Sequence, residues 1–283
     1  MIEKIKGLLK QFNKYYYHEN GVIIAYNNTN TYEKLDLIEV ELYLDEFVYE
    51  RNFKKSNHFN YVKEEIIILD KLFYHLTITP ITKITTKEDF ILKLKELELT
   101  KMRPTLLMHS CCGPCSSYCL EYLHKYFDIT ILYYNPNIDT IDEFNKRLSY
   151  QNKIIECLGY EIKVIVPEYK HENYLNYIRG FEHNKEGEKR CYLCYEERLE
   201  KVAEYANGKY DFYTSTLSVS PYKNAEWINE IGVRINKKYP DTHYLYANFK
   251  LNDGYKRSIE LSKKYNLYRQ DYCGCEFSYN IKH

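Results

Sequence analysis

Residues 105–117 read TLLMHSCCGPCSS. The first six form a short apolar run of strand length. Two cysteines follow, then Gly113 and Pro114, a pair suited to a sharp turn. GPCSSYCLEYLHKYF, residues 113–127, then carries a helical pattern. The alternation repeats downstream. DITILYYNPN predicts a second strand, and DTIDEFNKRLSYQNKIIECLG a long helix starting near Asp139 or Thr140. YEIKVIVP predicts a third strand, RCYLCYEERLEKVAEYANG a helix closed by Gly208, and YDFYTSTLS a fourth strand. YKNAEWINEIGVRINKKY, THYLYANF and GYKRSIELSKKYN read as helix, strand and helix. Strands alternating with helices imply an α/β domain with a parallel sheet and right-handed crossovers. Ligands of such sheets bind beyond the carboxyl ends of the strands. The first cysteines stand at one such end.

Residues 1–100 read differently. They open with a predicted helix over residues 2–14, followed by the apolar runs GVIIAY, LDLIEVELYL, EEIIILD and FYHLTITPI. KEDFILKLKELEL, near residues 87–99, predicts an amphipathic helix. The expectation is an α+β accessory region over 1–100, without recognisable chemistry, ahead of a second domain over 101–283.

The 283 residues, 45% hydrophobic, suffice for a sizeable core. Forty basic residues balance forty acidic ones, which excludes nucleic-acid binding by bulk charge but leaves room for a local basic patch. No run of 18 apolar residues occurs and the first twenty residues lack a signal-peptide core, so a cytoplasmic protein with no membrane partner is expected. The 33 tyrosines are read as codon bias.

Nine cysteines carry the chemical signal, and none precedes residue 111. Three clusters stand out: Cys111-Cys112-Gly113-Pro114-Cys115, Cys191-Tyr192-Leu193-Cys194 and Cys273-Gly274-Cys275. Clustered thiols in a chain of this kind point to metal or redox chemistry. Thiolates suit both zinc and iron–sulfur clusters, and spacing alone leaves the two open. A C-x-C pair closes only a small, strained disulfide ring, so exchange or a second metal suits it better than a structural bridge. Cys112–Cys115 also spells CGPC, the thioredoxin tetrad. Thioredoxins lack the preceding cysteine and the later motifs, and the match is read as coincidence.

LLMHSCCGPCSS, YYNPNI, KRCYLCYEERLE, TSTLSVSPYKNAEWINEIG and GYKRSIELSKKYNLYRQDYCGCEFSY together resemble the QueH-type epoxyqueuosine reductases, from about Leu106 to Tyr279. Members of that family begin close to the first cysteine motif, so residues 1–100 are a departure. The resemblance implies a Rossmann-like domain of the HUP type. It also implies reduction of epoxyqueuosine to queuosine at the wobble position of tRNAs with GUN anticodons (Asp, Asn, His, Tyr). It further implies a 4Fe–4S cluster on Cys111, Cys112, Cys191 and Cys194, with Cys273 and Cys275 as the redox-active pair. A variant picture of the family adds one mononuclear iron near the C-x-C thiols. Some members carry aspartate where this chain has Cys115, which makes Cys115 either a further ligand or a bystander. No G-x-G-x-x-G follows a strand, so an external electron donor is expected.

Further candidates lie at strand ends or inside the resembling motifs. Asn135, Asn137, Thr214, Ser215, Thr216 and Ser218 are candidates for the substrate's hydroxyls or phosphate, with capping and turn formation as the competing roles. Lys256, Arg257 and Arg269 are candidates for tRNA phosphates, ahead of Lys223, Lys263 and Lys264. His109 is read as a hydrogen-bonded strand-end histidine, Cys119 and Cys157 as core thiols, and Trp227 as packing.

Overall fold

The computed structural model describes residues 16–17, 22–26, 61–68, 71–78, 83–100 and 102–278, the first four segments as backbone strands. The helix expected over 2–14 and the run LDLIEVELYL lie outside the described residues. The chain divides into two compact units, residues 1–82 with 91–103 and residues 83–90 with 104–283. In the first unit β1 (Tyr16–Tyr17), β2 (Val22–Tyr26), β3 (Tyr61–Ile68) and β4 (Lys71–Ile78) form a mixed sheet in the order β1-β2-β4-β3. The runs GVIIAY, EEIIILD and FYHLTITPI supply β2, β3 and β4, and β1 lies outside them. Helix α1 (Lys87–Thr100) follows where the amphipathic pattern predicts it.

The second unit is α/β. Its strands are β5 (Thr105–His109), β6 (Asp128–Leu132), β7 (Lys163–Ile165), β8 (Phe212–Ser215) and β9 (His243–Tyr244). They form one sheet, parallel throughout, in the order β7-β6-β5-β8-β9. The connecting helices are α2 (Gly113–Leu123), α3 (Ile141–Leu158), α4 (His171–Tyr177), α5 (Lys189–Ala206), α6 (Ala225–Asn236) and α7 (Gly254–Lys264). α4 lies in the polar stretch where the sequence pattern shows no helix. The order is that of a doubly wound, Rossmann-like sheet, which reverses direction between β5 and β8. Helices cover both faces of a parallel sheet, so its central strand must be apolar on both sides. Leu106, Leu107 and Met108 of β5 have no exposed surface. Each such burial contributes roughly 1.5–3 kcal/mol.

Local chemistry sets the element ends near the reversal point. Cys112 is the extended N-cap of α2, and Pro114 occupies its first turn, where a missing N–H costs nothing. The Thr140 side chain accepts from the Glu143 N–H to start α3. Cys157 corrects an expectation: it is exposed. The buried stripe of α3 runs through Phe144, Arg147, Gln151, Ile154 and Ile155. At 100° per residue Cys157 sits roughly 110° round from the centre of that stripe. Cys119, by contrast, is fully buried.

Gly113 is where α2 crosses α3. A Cβ there would lie 2.4 Å from the Tyr150 carbonyl oxygen, a backbone atom that cannot swing aside. Gly113→Ala is therefore expected to prise the two helices apart and to cost about 1–3 kcal/mol in urea unfolding. A variant as stable as the wild type would show that the contact relaxes freely.

Candidate functional site

β5 delivers its last residues to the carboxyl edge of the sheet. His109 has no exposed surface there. Its Nε2–H donates to the Tyr134 carbonyl at 3.0 Å, and Nδ1 accepts from the Ser215 hydroxyl at 2.8 Å. Both ring nitrogens are thus spent on joining β5 to its neighbours, as expected for a strand-end histidine. Burial, with Arg198 nearby, lowers its pKa to about 4. The turn beyond is pinned from several sides. Gln151 of α3 accepts from the Ser110 and Ser116 hydroxyls at 2.5 and 2.8 Å, and Asn135 donates to the Ser110 carbonyl at 2.8 Å.

This turn puts the Cys111, Cys112 and Cys115 sulphurs within 4.8 Å of one another. The vicinal pair, which spacing alone leaves unsettled, converges: Cys111 Sγ and Cys112 Sγ are 3.7 Å apart. Gln270 donates to Cys112 Sγ at 3.3 Å. Hydrogen bonding from Cys111, Cys115 and Gln270 and the charge of Arg147 hold Cys112 well below the ordinary thiol range. Hydrogen bonding with Cys111 and Cys112, together with burial, pushes Cys115 up. A buried group of three thiols can hold a metal.

The second motif opens α5. Gly187 N–H donates to Cys191 Sγ at 3.3 Å. One turn deeper, Arg198 donates through Nη2 to Cys194 Sγ at 3.2 Å and through Nε to the Cys194 carbonyl at 3.0 Å. Arg198 is 2% exposed, and none of the ion pairs among the described residues involves it. Burial nevertheless pushes the Cys194 thiol up to about 12.

The third motif is shaped by Gly274, whose φ of 117° only glycine adopts without strain. Its Cα faces the Arg147 guanidinium, 2.9 Å from where a Cβ would sit. Arg147, also 2% exposed, donates to the Cys273 carbonyl at 3.0 Å and pairs with Glu143 at 2.6 Å. Its Nη2 has no hydrogen-bond partner. Lys223 donates to Cys273 Sγ at 3.2 Å. The Cys275 thiol, with the Lys223 and Arg198 charges, holds Cys273 well below the thiol range, and Cys275 is pushed up in turn. Cys275 packs with Cys194, Tyr174 and Ile178.

A cleft of about 220 Å³ joins these parts. Cys111, Cys115, Arg147, Lys223 and Cys273 line it, and Gln270 and Arg269 form part of its rim. The first and third motifs thus open onto one space. Cys191 and Cys194 are not among its lining residues. Asn135 and Asn137 are buried in the lining, and Asn137 Oδ1 has no partner.

The strand-end hydroxyls have internal partners. Thr214 donates to the Leu245 carbonyl, and Ser215 receives the Leu217 N–H as well as meeting His109. Ser218 accepts from the Phe249 N–H, and Thr216 Oγ1 accepts from the Cys111 N–H at 3.4 Å. Lys256 is exposed on α7. Arg257 is held by Glu121 through two bonds of 2.8 Å and by Glu260 at 3.0 Å. Arg269 bonds the Ser262 hydroxyl at 3.1 Å and reaches the cleft. Trp227 packs edge-on to Tyr192, with centroids 5.5 Å apart. Arg147 and Arg198 are the functional candidates that sequence reasoning missed. Their signal was present: each is an arginine on the apolar stripe of its helix, where solvating charge is not expected.

A Rossmann-like sheet carrying three cysteine motifs and buried cations at its switch point fits the class of oxidoreductases with a metal-competent cysteine centre. A sequence model described as epoxyqueuosine reductase QueH matches residues 106–280, and the chain belongs to that family. Epoxyqueuosine reductase QueH of Streptococcus pyogenes is 39% identical over 65% of this chain and 74% of its own length. Those of Staphylococcus aureus and Staphylococcus epidermidis are 40% and 42% identical, over 67% and 62% of this chain and 82% and 76% of theirs. Among solved structures, a chain described as a predicted subunit of a tRNA methyltransferase from Methanocaldococcus jannaschii aligns at 15% identity with a TM-score of 0.35. It covers 57% of this chain and 74% of its own, a likeness too remote to bear on function.

Because burial depresses His109 to about 4, the unfolded chain, at about 6.5, takes up a proton first. The neutral ring's stabilisation is complete above pH 6.5 and is lost as pH falls through 4. Urea melts should show up to about 3 kcal/mol of that loss in the wild type and its removal in His109→Gln. Equal acid sensitivity in both would sink the assignment of a neutral, buried ring.

Proposed function

We propose that this chain reduces the epoxide of epoxyqueuosine to the alkene of queuosine at the wobble position of GUN-anticodon tRNAs. Cys111, Cys112, Cys191 and Cys194 would hold a 4Fe–4S cluster, and Cys273 and Cys275 would be the redox pair. The observation that carries the reading is the Cys273 thiol, which shares one cleft with Cys111 and Cys115 and sits against a lysine ammonium. Residues 101–283 are the reductase domain in this reading. Residues 1–100 are an accessory region, offered as a grip on tRNA away from the anticodon. No helix among the described residues is long and apolar enough to cross a membrane, and exchangeable thiols suit a cytoplasmic setting.

The residues fit a thiolate-bound metal. A guanidinium as buried as Arg198 requires an anion, and its hydrogen bonds go to the Cys194 carbonyl and sulphur, with the Tyr195 ring 5.9 Å away. A metal would deprotonate Cys194 and supply that anion. Four thiolates holding a cubane surround it rather than touch, so Cys191 and Cys194 need not join the close group of Cys111, Cys112 and Cys115. When bound, such a cluster supplies electrons one at a time. One mononuclear iron beside it would be a further group, with Cys115 and the C-x-C thiols as its donors.

The chain's own residues account for the rest. The Cys273 thiolate and the Cys275 thiol together carry two electrons and one proton, and the Lys223 ammonium beside Cys273 carries the second proton. Epoxide, thiolate, thiol and that proton give alkene, water and one disulfide, so the step balances; an external donor must then reduce the disulfide and solvent must reprotonate Lys223. Lys223 stabilises Cys273 as thiolate, and Arg147 holds the Cys273 carbonyl so that the sulphur faces the cleft. Asn135 and Asn137 offer amides to the substrate's hydroxyls. The rival reading, a thiol–disulfide oxidoreductase using Cys112 and Cys115, draws on the lowered Cys112 and raised Cys115 at the start of α2.

Protein purified without oxygen should carry about four irons and four acid-labile sulfides per chain. A fifth iron would add the mononuclear site, and stoichiometric zinc without sulfide would overturn the reading in favour of a zinc-stabilised RNA-binding domain. Cys191→Ser should abolish epoxide reduction while Cys115→Ser retains more of it. The opposite ranking would favour the CGPC dithiol. Arg198→Leu should lower iron retention severalfold while Arg198→Lys restores part of it, read by iron content and visible absorption; unaltered iron in Arg198→Leu would remove the charge-pairing argument.

A further inference from the structure

A second cleft, of about 410 Å³, opens beside the first and shares Tyr222 and Lys223 with it. A polymer whose modified base enters the first cleft must leave it over some lip, and these two residues form the lip common to both. Beyond them the second cleft is lined by Trp227, Asn248 and Lys250, with Glu226 as its acidic member.

The lining combines aromatic surface with ammonium charge. Tyr222 is 49% exposed. Trp227 is positioned rather than loose: its backbone N–H is capped by Asn224 Oδ1 at 3.1 Å, and its ring is held at 75° to Tyr192. One side of the indole packs against the core, and another lines the cleft. Lys250 donates to the Lys223 carbonyl, which uses one of its three N–H groups. Burial and the neighbouring Lys223 charge hold Lys250 below the ordinary lysine range, a shift that an anion beside Lys250 would reverse. Aromatic faces that accept any base, beside cations that follow the backbone, are the means by which proteins hold single-stranded nucleic acid.

We propose that the second cleft seats a nucleotide flanking the modified one, with its base against Trp227 and its phosphate at Lys250. The inference rests on the tRNA substrate proposed above and adds to it a subsite outside the reacting cleft.

Trp227 is the only tryptophan of the chain, so its emission reports this cleft alone. The full-length protein is titrated with an anticodon-hairpin RNA bearing a GUN loop, and binding is followed independently by the anisotropy of a label on the RNA. The hairpin should quench Trp227 saturably. An abasic site at one neighbour of the wobble nucleotide should abolish the quench while the RNA still binds. Trp227→Leu should weaken hairpin binding about fivefold or more, with Trp227→Phe close to wild type. Lys250→Gln should reduce the slope of log affinity against log salt by about 0.7. A hairpin that is bound and reduced with unaltered emission, or a quench indifferent to both abasic substitutions, overturns the subsite alone. A wild-type chain that neither binds the hairpin nor reduces its epoxide overturns the tRNA reading, and the subsite falls with it.

Discussion

A guanidinium buried in a protein needs a negative partner, because stripping it of water costs several kcal/mol and it does not give up its proton. Two of them, Arg147 and Arg198, are the largest fully buried side chains among the described residues. Arg147 has Glu143, yet one of its nitrogens is unmatched. Arg198 faces a carbonyl and a sulphur. With Lys223 against Cys273, three cations sit among the sulphurs of three separate motifs. The arrangement is costly with neutral thiols and reasonable with thiolates. Site and fold are therefore coupled: the charges that would repel one another in an empty core are reconciled by the chemistry the sulphurs perform.

The sheet makes the coupling possible. β5 and β8 lie side by side but hand the chain to opposite sides, so their carboxyl ends leave a crevice. Cys111 follows β5 and meets Thr216, which follows β8; the segment after α7 brings Cys273 to the same cleft, and α5 brings Cys194 against Cys275. Two glycines allow the approach. Gly113 lets α2 press on the α3 backbone, and Gly274 lets the C-x-C turn close over Arg147. Gly113 removes a side chain where two helices meet, and Gly274 does so while also adopting a φ of 117°.

Much of this was legible in the residues. The alternation of apolar runs and helical stretches predicted the parallel sheet, because burial on both faces imposes that pattern strand by strand. His109 read correctly because a polar residue closing an apolar strand finds partners on the neighbouring strands. Cys157 read wrongly because an apolar neighbourhood in sequence is not a face: Ile154 and Ile155 point inward while Cys157, two residues on, has turned away. The helix α4 escaped notice because its polar sequence buries little beyond Tyr174 and carries no periodic signal.

The sequence by itself determined the class of sheet, the family, and the three cysteine motifs with their helix-start and turn settings. These depend on local spacing, and local spacing is what a sequence records. Only the tertiary structure decided that Cys111, Cys112 and Cys115 form one close group, that Cys273 shares their cleft, and that Arg147, Arg198 and Lys223 stand among the sulphurs. Those contacts join residues up to 162 positions apart, from Cys111 to Cys273, across the crossovers of the sheet. Their distances follow from the order in which strands lie beside one another, which no stretch of the chain contains alone.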